Sequence, residues 1–329
     1  MNAFDLQKPT SVEEAAALLP TSPDNREAVL LAGGQDLLGE LKDALVEPER
    51  VVNLKGIVGL DAMAWESDGS LTLGALVTLQ TLAEEPRVLA ELAVLAEAAQ
   101  QVGSPQIRSV GTVGGNLNQR PRCWYYRNAD SVCLKKGGTH CFAQLGENKY
   151  NAILGGGPTF IVHPSDLAPA LIALGASAML VSPRGRRTVP LSEYYLLPAD
   201  DGITRETIRE PDEVLSSVRI PAQNSDMRST YLKFRERGSY DWALSSVALC
   251  LWMNEDTVTG VRLVLGGVAP TPWRCESSER LLVGNVVDEQ TIRRVVDDAL
   301  RQAEPLSDNA YKVPLTKGLV TRALQTLAS

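Results

Sequence analysis

Along this chain of 329 residues, the apolar positions fall into two periods, and their order predicts a mixed architecture. In TSVEEAAALLP (10–20) small and apolar residues follow Ser11 at helical spacing, with Glu14 three positions on and Pro20 behind. That is a capping box and a stop. The short run AVLLA (28–32) predicts a strand that enters a glycine pair. DLLGELKDAL then predicts a turn or two of helix, and RVVNLK (50–55) another strand. Strand, glycine turn, helix and strand make a small α/β unit. The pattern repeats loosely from Leu71, with LTLGAL as a strand and 88–101 as one helix whose stripe is Leu89, Leu92, Leu95 and Ala99. HPSDLAPALIALGA predicts a helix capped by Ser165 or Asp166, followed by the strand SAMLVS, and EVLSSVRIP (213–221) predicts a further strand. Past the polar stretch AQNSDMRS, the runs SSVALCLWM and VRLVLGGVA flank the turn NEDTVTG as an antiparallel hairpin. Two helices complete the chain: one with Ile292, Val295, Val296, Ala299 and Leu300 on a single face, then TKGLVTRALQTLA.

Three stretches interrupt this order. AGGQDLL follows the first strand, and VGTVGGNL (110–117) breaks a β-branched run with Gly111, Gly114 and Gly115. Bare backbone of this kind takes φ > 0, approaches a ligand closely and can turn its amides toward an anion. The third stretch, 119–150, is basic, aromatic and cysteine-bearing, and its Trp124-Tyr125-Tyr126 run argues for an ordered loop.

Composition narrows the function classes. A net charge of −8 lacks the basic footprint of a nucleic-acid binder, and 44% hydrophobic with 22% charged residues is ordinary for a globular protein. The length implies two or three domains. No segment is long and apolar enough to span a bilayer, and MNAFDLQKPT has no export signal, so a cytoplasmic location is expected unless a partner carries the signal. Five cysteines, an odd number, argue against a disulfide framework. With only His140 and His163 available, and no nucleophile beside either, hydrolase chemistry is disfavoured.

AGGQDLLGELK, IRSVGTVGGNL, HPSDLAPALIALGA, LGGVAPTPWR and AYKVPLTKGLVTRAL occur in that order. Together they resemble the FAD-binding subunits of the molybdenum hydroxylases, the family of xanthine dehydrogenase and carbon monoxide dehydrogenase, over nearly the whole chain. The resemblance implies an α+β fold: a bipartite α/β FAD-binding region of the PCMH type over 1–221, with subdomains at about 1–57 and 58–221, then an α+β domain with an antiparallel sheet over 222–329. It implies FAD held by both glycine stretches through their amides, with Leu30, Leu31, Ala32, Gly33, Gly34, Gln35, Asp36 and Leu37 in the first and Thr112, Val113, Gly114, Gly115 and Asn116 in the second. Val102 and Asp166 complete the cofactor set, Asp166 matching an acidic residue near the isoalloxazine ring in relatives. A side chain at Gly114 or Gly115 is expected to push the diphosphate away. Lys42 and Arg108 read as solvated charges, His140 as an exposed loop residue, His163 as a structural hydrogen bonder and Cys250 as a packed core thiol. Tyr240 and Trp242 read as core, with a place beside the flavin as the alternative.

The loop over 119–150 resembles the [4Fe-4S]-bearing insert in flavin subunits of 4-hydroxybenzoyl-CoA reductase and certain bacterial aldehyde oxidoreductases. Cys123, Cys133 and Cys141 are its candidate ligands, but such clusters normally take four thiolates. Where relatives place the fourth, this chain has Tyr150 or Thr159. A retained aromatic loop with free thiols is therefore expected. The alternative is a cluster completed by a ligand such as His140 or a carboxylate. The resemblance further implies a molybdopterin-binding large subunit and a [2Fe-2S] small subunit as partners, with electrons passing through FAD to an external acceptor. A self-sufficient FAD-dependent oxidase is the rival from another class, and a non-catalytic assembly subunit is disfavoured by intact glycines at 33, 34, 114 and 115.

Overall fold

The computed structural model describes residues 1–22, 27–238 and 240–328, and among these twelve strands form three sheets. The first sheet is small and parallel: β1 (Asp5–Gln7) and β2 (Ala28–Leu31) both pair with a central β3 (Arg50–Asn53). Parallel strands need crossovers, and helices Val12–Ala17 and Leu37–Lys42 lie in the two connections. The first helix starts at Ser11, whose Oγ accepts from the Glu14 amide at 3.1 Å. Glu14 reaches back one residue further than a capping box requires, accepting from the Thr10 amide at 2.7 Å.

The second sheet is antiparallel. Its strands are β4 (Met63–Trp65), β5 (Leu71–Gly74), β6 (Ser177–Ser182), β7 (Gly185–Pro190) and β8 (Val214–Ile220), in the spatial order β4-β5-β8-β6-β7. Helix Leu167–Ala173 is buried along its whole length against the same core. The expected single helix over 88–101 is two, Pro86–Glu91 and Ala93–Gln100, broken at Leu92 (φ −132°, ψ 52°), and Leu89 is left 44% exposed. The break has a tertiary cause: it frees the Val94 amide to donate to Ser229 Oγ at 3.2 Å, seating the second helix on the next sheet.

That third sheet is antiparallel, with β9 (Met227–Phe234), β10 (Ser245–Asn254), β11 (Thr257–Gly266) and β12 (Trp273–Arg274) in the order β12-β11-β10-β9. The hairpin turn is tighter than NEDTVTG suggested, because Thr257–Gly260 already pairs as strand. Successive strand residues point to opposite faces, so β10, apolar from Val247 to Met253, is buried on both over most of its length. Ala248 and Cys250 join the core of the first half of the chain. Val247, Leu249 and Leu251 join a second core with Ile292, Val295, Val320 and Leu324 from helices Glu289–Ala299 and Lys312–Ala328. The third sheet is thus the partition between the two large cores.

At the start of the last helix Lys312 is completely buried, and its Nζ donates to the carbonyls of Tyr150, Asn151 and Gly267 at 2.9, 3.1 and 2.9 Å. Burial pushes this amine down to about 7, against three acceptors that use all of its ammonium protons. Among the described residues no helix is long and apolar enough to cross a membrane.

Candidate functional site

The two glycine stretches, about eighty residues apart in sequence, meet in space. A Cβ on Gly33 would lie 2.2 Å from the Val110 carbonyl oxygen and 3.2 Å from Gly111 Cα. They open together onto a cleft of about 940 Å³. Of the residues expected around the cofactor, Leu30, Ala32, Gly33, Gly34, Gln35, Asp36, Leu37, Val102, Thr112, Gly114, Gly115, Asn116 and Asp166 line this cleft. Leu31 and Val113 do not; Val113 is fully buried in the core behind it.

The two stretches do different work. In the first, Gly34 has φ +75°, and the amides of Gly33, Gly34 and Gln35 have no hydrogen-bond partner among the described residues. In the second, four amides are already used: Val113 donates to Val77 O, Gly114 to Ala75 O, Gly115 to Thr112 Oγ1 and Asn116 to Thr112 O. Of the two stretches, it is therefore the first that has glycine amides left without a partner in the cleft, while those of Gly114 and Gly115 are engaged within the protein. Gly114 is needed for another reason. Its Cβ would meet Ala75 Cβ at 2.9 Å and Ala75 O at 3.0 Å, so its bare backbone also allows the helix Val113–Leu117 to press on the segment after β5. Neither Gly114 nor Gly115 has a positive φ.

Charge concentrates here. Arg120, Arg122, Lys135, Lys136, Arg205, Arg209 and Lys233 line the cleft against Asp36, Glu40, Asp166 and Asp241, an excess of cations in a chain of net charge −8. Asp36, at the start of helix Leu37–Lys42, is committed to the basic loop. Its Oδ1 accepts from Arg122 Nη1 at 2.6 Å and Arg127 Nη2 at 2.7 Å, and its Oδ2 from the Arg120 amide at 2.6 Å. One turn on, buried Glu40 accepts from Tyr126 Oη at 2.8 Å. Burial pushes that phenol up to about 12, so it donates. Arg120 donates to Tyr126 Oη at 2.9 Å and pairs with Glu206, which also pairs with buried Lys135 at 2.6 Å. Burial pushes Glu206 up, but Arg120 and Lys135 pull harder and hold it below the usual carboxylate range.

Across the cleft, Ser165 is the helix cap, its Oγ accepting from the Ala168 amide at 3.0 Å. Asp166 makes no cap bond. It accepts instead from Tyr231 Oη at 2.6 Å and Lys233 Nζ at 2.8 Å, a buried pair that ties this wall to β9. Lys42 is exposed as expected, but Arg108 is not a solvated charge: its Nη1 gathers the carbonyls of Gln100, Val102 and Gly103 at 3.1–3.2 Å and fixes the Val102 corner. Tyr240 and Trp242 are not core. They are 61% and 52% exposed at the rim, with Arg122 stacked 4.8 Å from the Trp242 ring. His163 is buried, accepts from the Ser165 amide through Nδ1 at 3.4 Å, and packs on Tyr195. Burial pushes it down to about 4, so it is neutral at neutral pH.

A cationic cleft between a glycine loop with free amides and a second sheet region suits an extended dinucleotide. Residues 2–223 match the family described as FAD binding domain in molybdopterin dehydrogenase, and residues 229–327 match the CO dehydrogenase flavoprotein C-terminal domain. The chain belongs to the FAD-binding subunits of the molybdenum hydroxylases. It is 33% identical over 327 residues to the aldehyde oxidoreductase FAD-binding subunit PaoB of Escherichia coli K12, covering 98% of each chain. It is 30% identical over 326 residues to the carbon monoxide dehydrogenase medium chain of Hydrogenophaga pseudoflava, covering 98% of this chain and 96% of that one. A solved structure of carbon monoxide dehydrogenase from that organism, lacking the Mo-pyranopterin moiety of its cofactor, superposes with a TM-score of 0.78 at 28% identity, covering 99% and 97% of the two chains.

In this flavin subunit the loop over 119–150 is folded onto the cleft, with a short helix Trp124–Arg127 and two 3-10 turns. All five cysteines are free thiols. Cys133 is buried; Cys123 and Cys141 are half-buried, and burial pushes the Cys123 thiol up. Among the described residues no group of three or more His, Cys, Asp or Glu side chains is arranged to hold a metal ion. The proposed fourth positions lie elsewhere engaged or enclosed: Tyr150 donates to Glu236 at 2.6 Å, Thr159 is buried, and His140 is exposed against Phe142. Sequence reading of the flavin subunit missed Arg120, Arg122, Lys135 and Lys233. The first two were visible as basic residues directly after the second glycine stretch; Lys233 carries no local signal beyond sharing a strand face with Tyr231.

Proposed function

We propose that this chain holds one FAD non-covalently and relays electrons through it within a multi-subunit molybdenum hydroxylase. The observation that carries the reading is the cleft itself: free amides at Gly33, Gly34 and Gln35 facing an excess of cations, a setting for a diphosphate. No histidine or cysteine lines the cleft among the described residues, which supports retention without a covalent bond. FAD bound there supplies one- and two-electron chemistry. This chain's residues do the rest. The first glycine loop and Arg120 hold the anionic part, the loop over 119–150 covers it through Asp36 and Glu40, and Asp166 with Lys233 sets a fixed charge pair on the opposite wall. A molybdopterin-binding large subunit and a [2Fe-2S] small subunit are the partners this reading requires; relatives named as the FAD-binding subunit or medium chain of such enzymes support it. The three sheets, within 5–53, 63–220 and 227–274, support a division into 1–57, 58–221 and 222–329.

The purified chain is expected to be yellow and to release all of its flavin into the supernatant on acid precipitation. Its flavin is expected to be reduced only when the partner subunits and their substrate are present. Flavin left in the pellet refutes non-covalent binding. Steady turnover of a small molecule by the isolated chain refutes the relay.

A further inference from the structure

Every exposed aromatic ring among the described residues lies in one of two segments, 124–150 and 234–242. These segments face each other over a second, smaller cavity of about 270 Å³ that shares Arg122, Pro164, Asp241 and Trp242 with the large cleft. Its floor is buried Asn151 and Leu244, and its walls include Trp124, Tyr150 and Trp242. Trp124 is 58% exposed and meets Tyr150 in a T-shaped contact at 5.4 Å, so the two rings fix each other while much of the indole stays exposed. The charged lining balances, with Arg122, Lys149 and Arg237 against Glu147, Glu236 and Asp241, and four of the six pair with one another. Lys149 binds Glu236 at 2.6 Å, and Arg237 reaches Asp241 at 3.3 Å.

We infer that this cavity is a binding site for a neutral, planar aromatic molecule of one or two fused rings, held beside the flavin cleft. Each part of that chemistry follows from the lining. Exposed tryptophan rings favour a flat π-system, which gains offset or edge contacts beyond simple burial. The balanced lining offers no net charge to an ion. The volume lies below the range that holds drug-sized ligands, so a small ring system fits and a dinucleotide does not. A concave floor of buried residues suits a small molecule; a protein partner would instead meet the rings on a flat face. The shared wall at Arg122 and Trp242, stacked on one another, places such a molecule next to the site proposed for FAD. A flat quinone-class electron acceptor is the kind of molecule this position fits, and that assignment rests on the FAD reading above.

The test is calorimetric titration of the oxidised full-length protein with 2-methyl-1,4-naphthoquinone, since neither oxidised flavin nor oxidised quinone transfers electrons. Saturable binding is expected, weakened about tenfold by Trp124→Ala and by Trp242→Ala. Phe234→Ala, an exposed ring that lines neither cavity, should bind as the parent does. Visible flavin absorbance on the same samples separates the two ideas. Flavin present without saturable binding, or equal affinity in all three variants, overturns the cavity assignment. Binding without flavin leaves a site but overturns its role as an acceptor site and the reading beneath it.

Discussion

Gly33 owes its identity to another part of the chain. Its missing side chain is where the Val110 carbonyl lies, so Gly33→Ala must push the two glycine stretches apart. This variant is expected to lose most of its flavin and about 1–3 kcal/mol of stability through overpacking. Gly39→Ala, in the next helix with nothing near the added carbon, should gain about 0.5–1 kcal/mol and keep its flavin. Flavin content and urea midpoints measure both, and equal flavin in the two would mean that the junction is not what seats the ligand. His163 supplies a pH effect. The fold accommodates its neutral form, with a pKa held down near 4 by burial. Between pH 6.5 and about 4 the unfolded chain therefore binds a proton that the folded chain does not, and stability falls as pH is lowered through that window, by on the order of 3 kcal/mol in full. His163→Asn, which keeps an acceptor near Nδ1, should flatten that part of the stability–pH curve; an unchanged curve would rule His163 out as its cause. Residue identities at the site were largely legible from sequence, but their roles were less so. Asp36 and Asp166 both line the cleft, yet both are engaged with groups 65–91 residues away, and pairings of that span leave no local pattern.

At the scale of elements, the apolar strands β2, β3, β5, β6, β8, β10 and β11 were readable because their period is local, whereas β1, β4, β7, β9 and β12, shorter or more polar, were not. A local period also missed the break in the helix over 88–101, interrupted because an amide serves Ser229 of another sheet. The basic loop was legible as ordered but not as a strap. Its arginines grip Asp36, its Tyr126 grips Glu40, and Tyr125 and Phe142 stack internally at 5.7 Å. These contacts hold the loop without metal. Protein purified without oxygen is accordingly expected to carry little or no iron or acid-labile sulfide, and Cys133→Ser should keep its flavin. About four irons per chain, lost in that variant, would make the loop a redox centre instead.

Across the whole molecule, the buried Asp166–Lys233 pair is one of the links joining the first half of the chain to the third sheet. Lys233→Met alone strands a buried carboxylate and should cost about 3 kcal/mol or more. Combined with Asp166→Asn, the total should be well below the sum of the single changes, because neither charge is then left alone. Urea unfolding of the four proteins gives the coupling directly, and strict additivity would mean that the pair contributes nothing as a pair. The pairing of β10 with β11 and the two-faced burial of β10 followed from their apolar runs. The cleft's far wall did not, since it is assembled from side chains of all three sheet regions at once.

The caged ammonium of Lys312 gives the C-terminal half an internal clock. Acylating reagents attack amines they can reach. Completely enclosed, Lys312 reacts only in the moments when helix Lys312–Ala328 lifts from the carbonyls of Tyr150, Asn151 and Gly267. Once lifted, it has an ordinary lysine pKa. Its labelling rate, set against that of exposed Lys42, therefore counts openings of the helix.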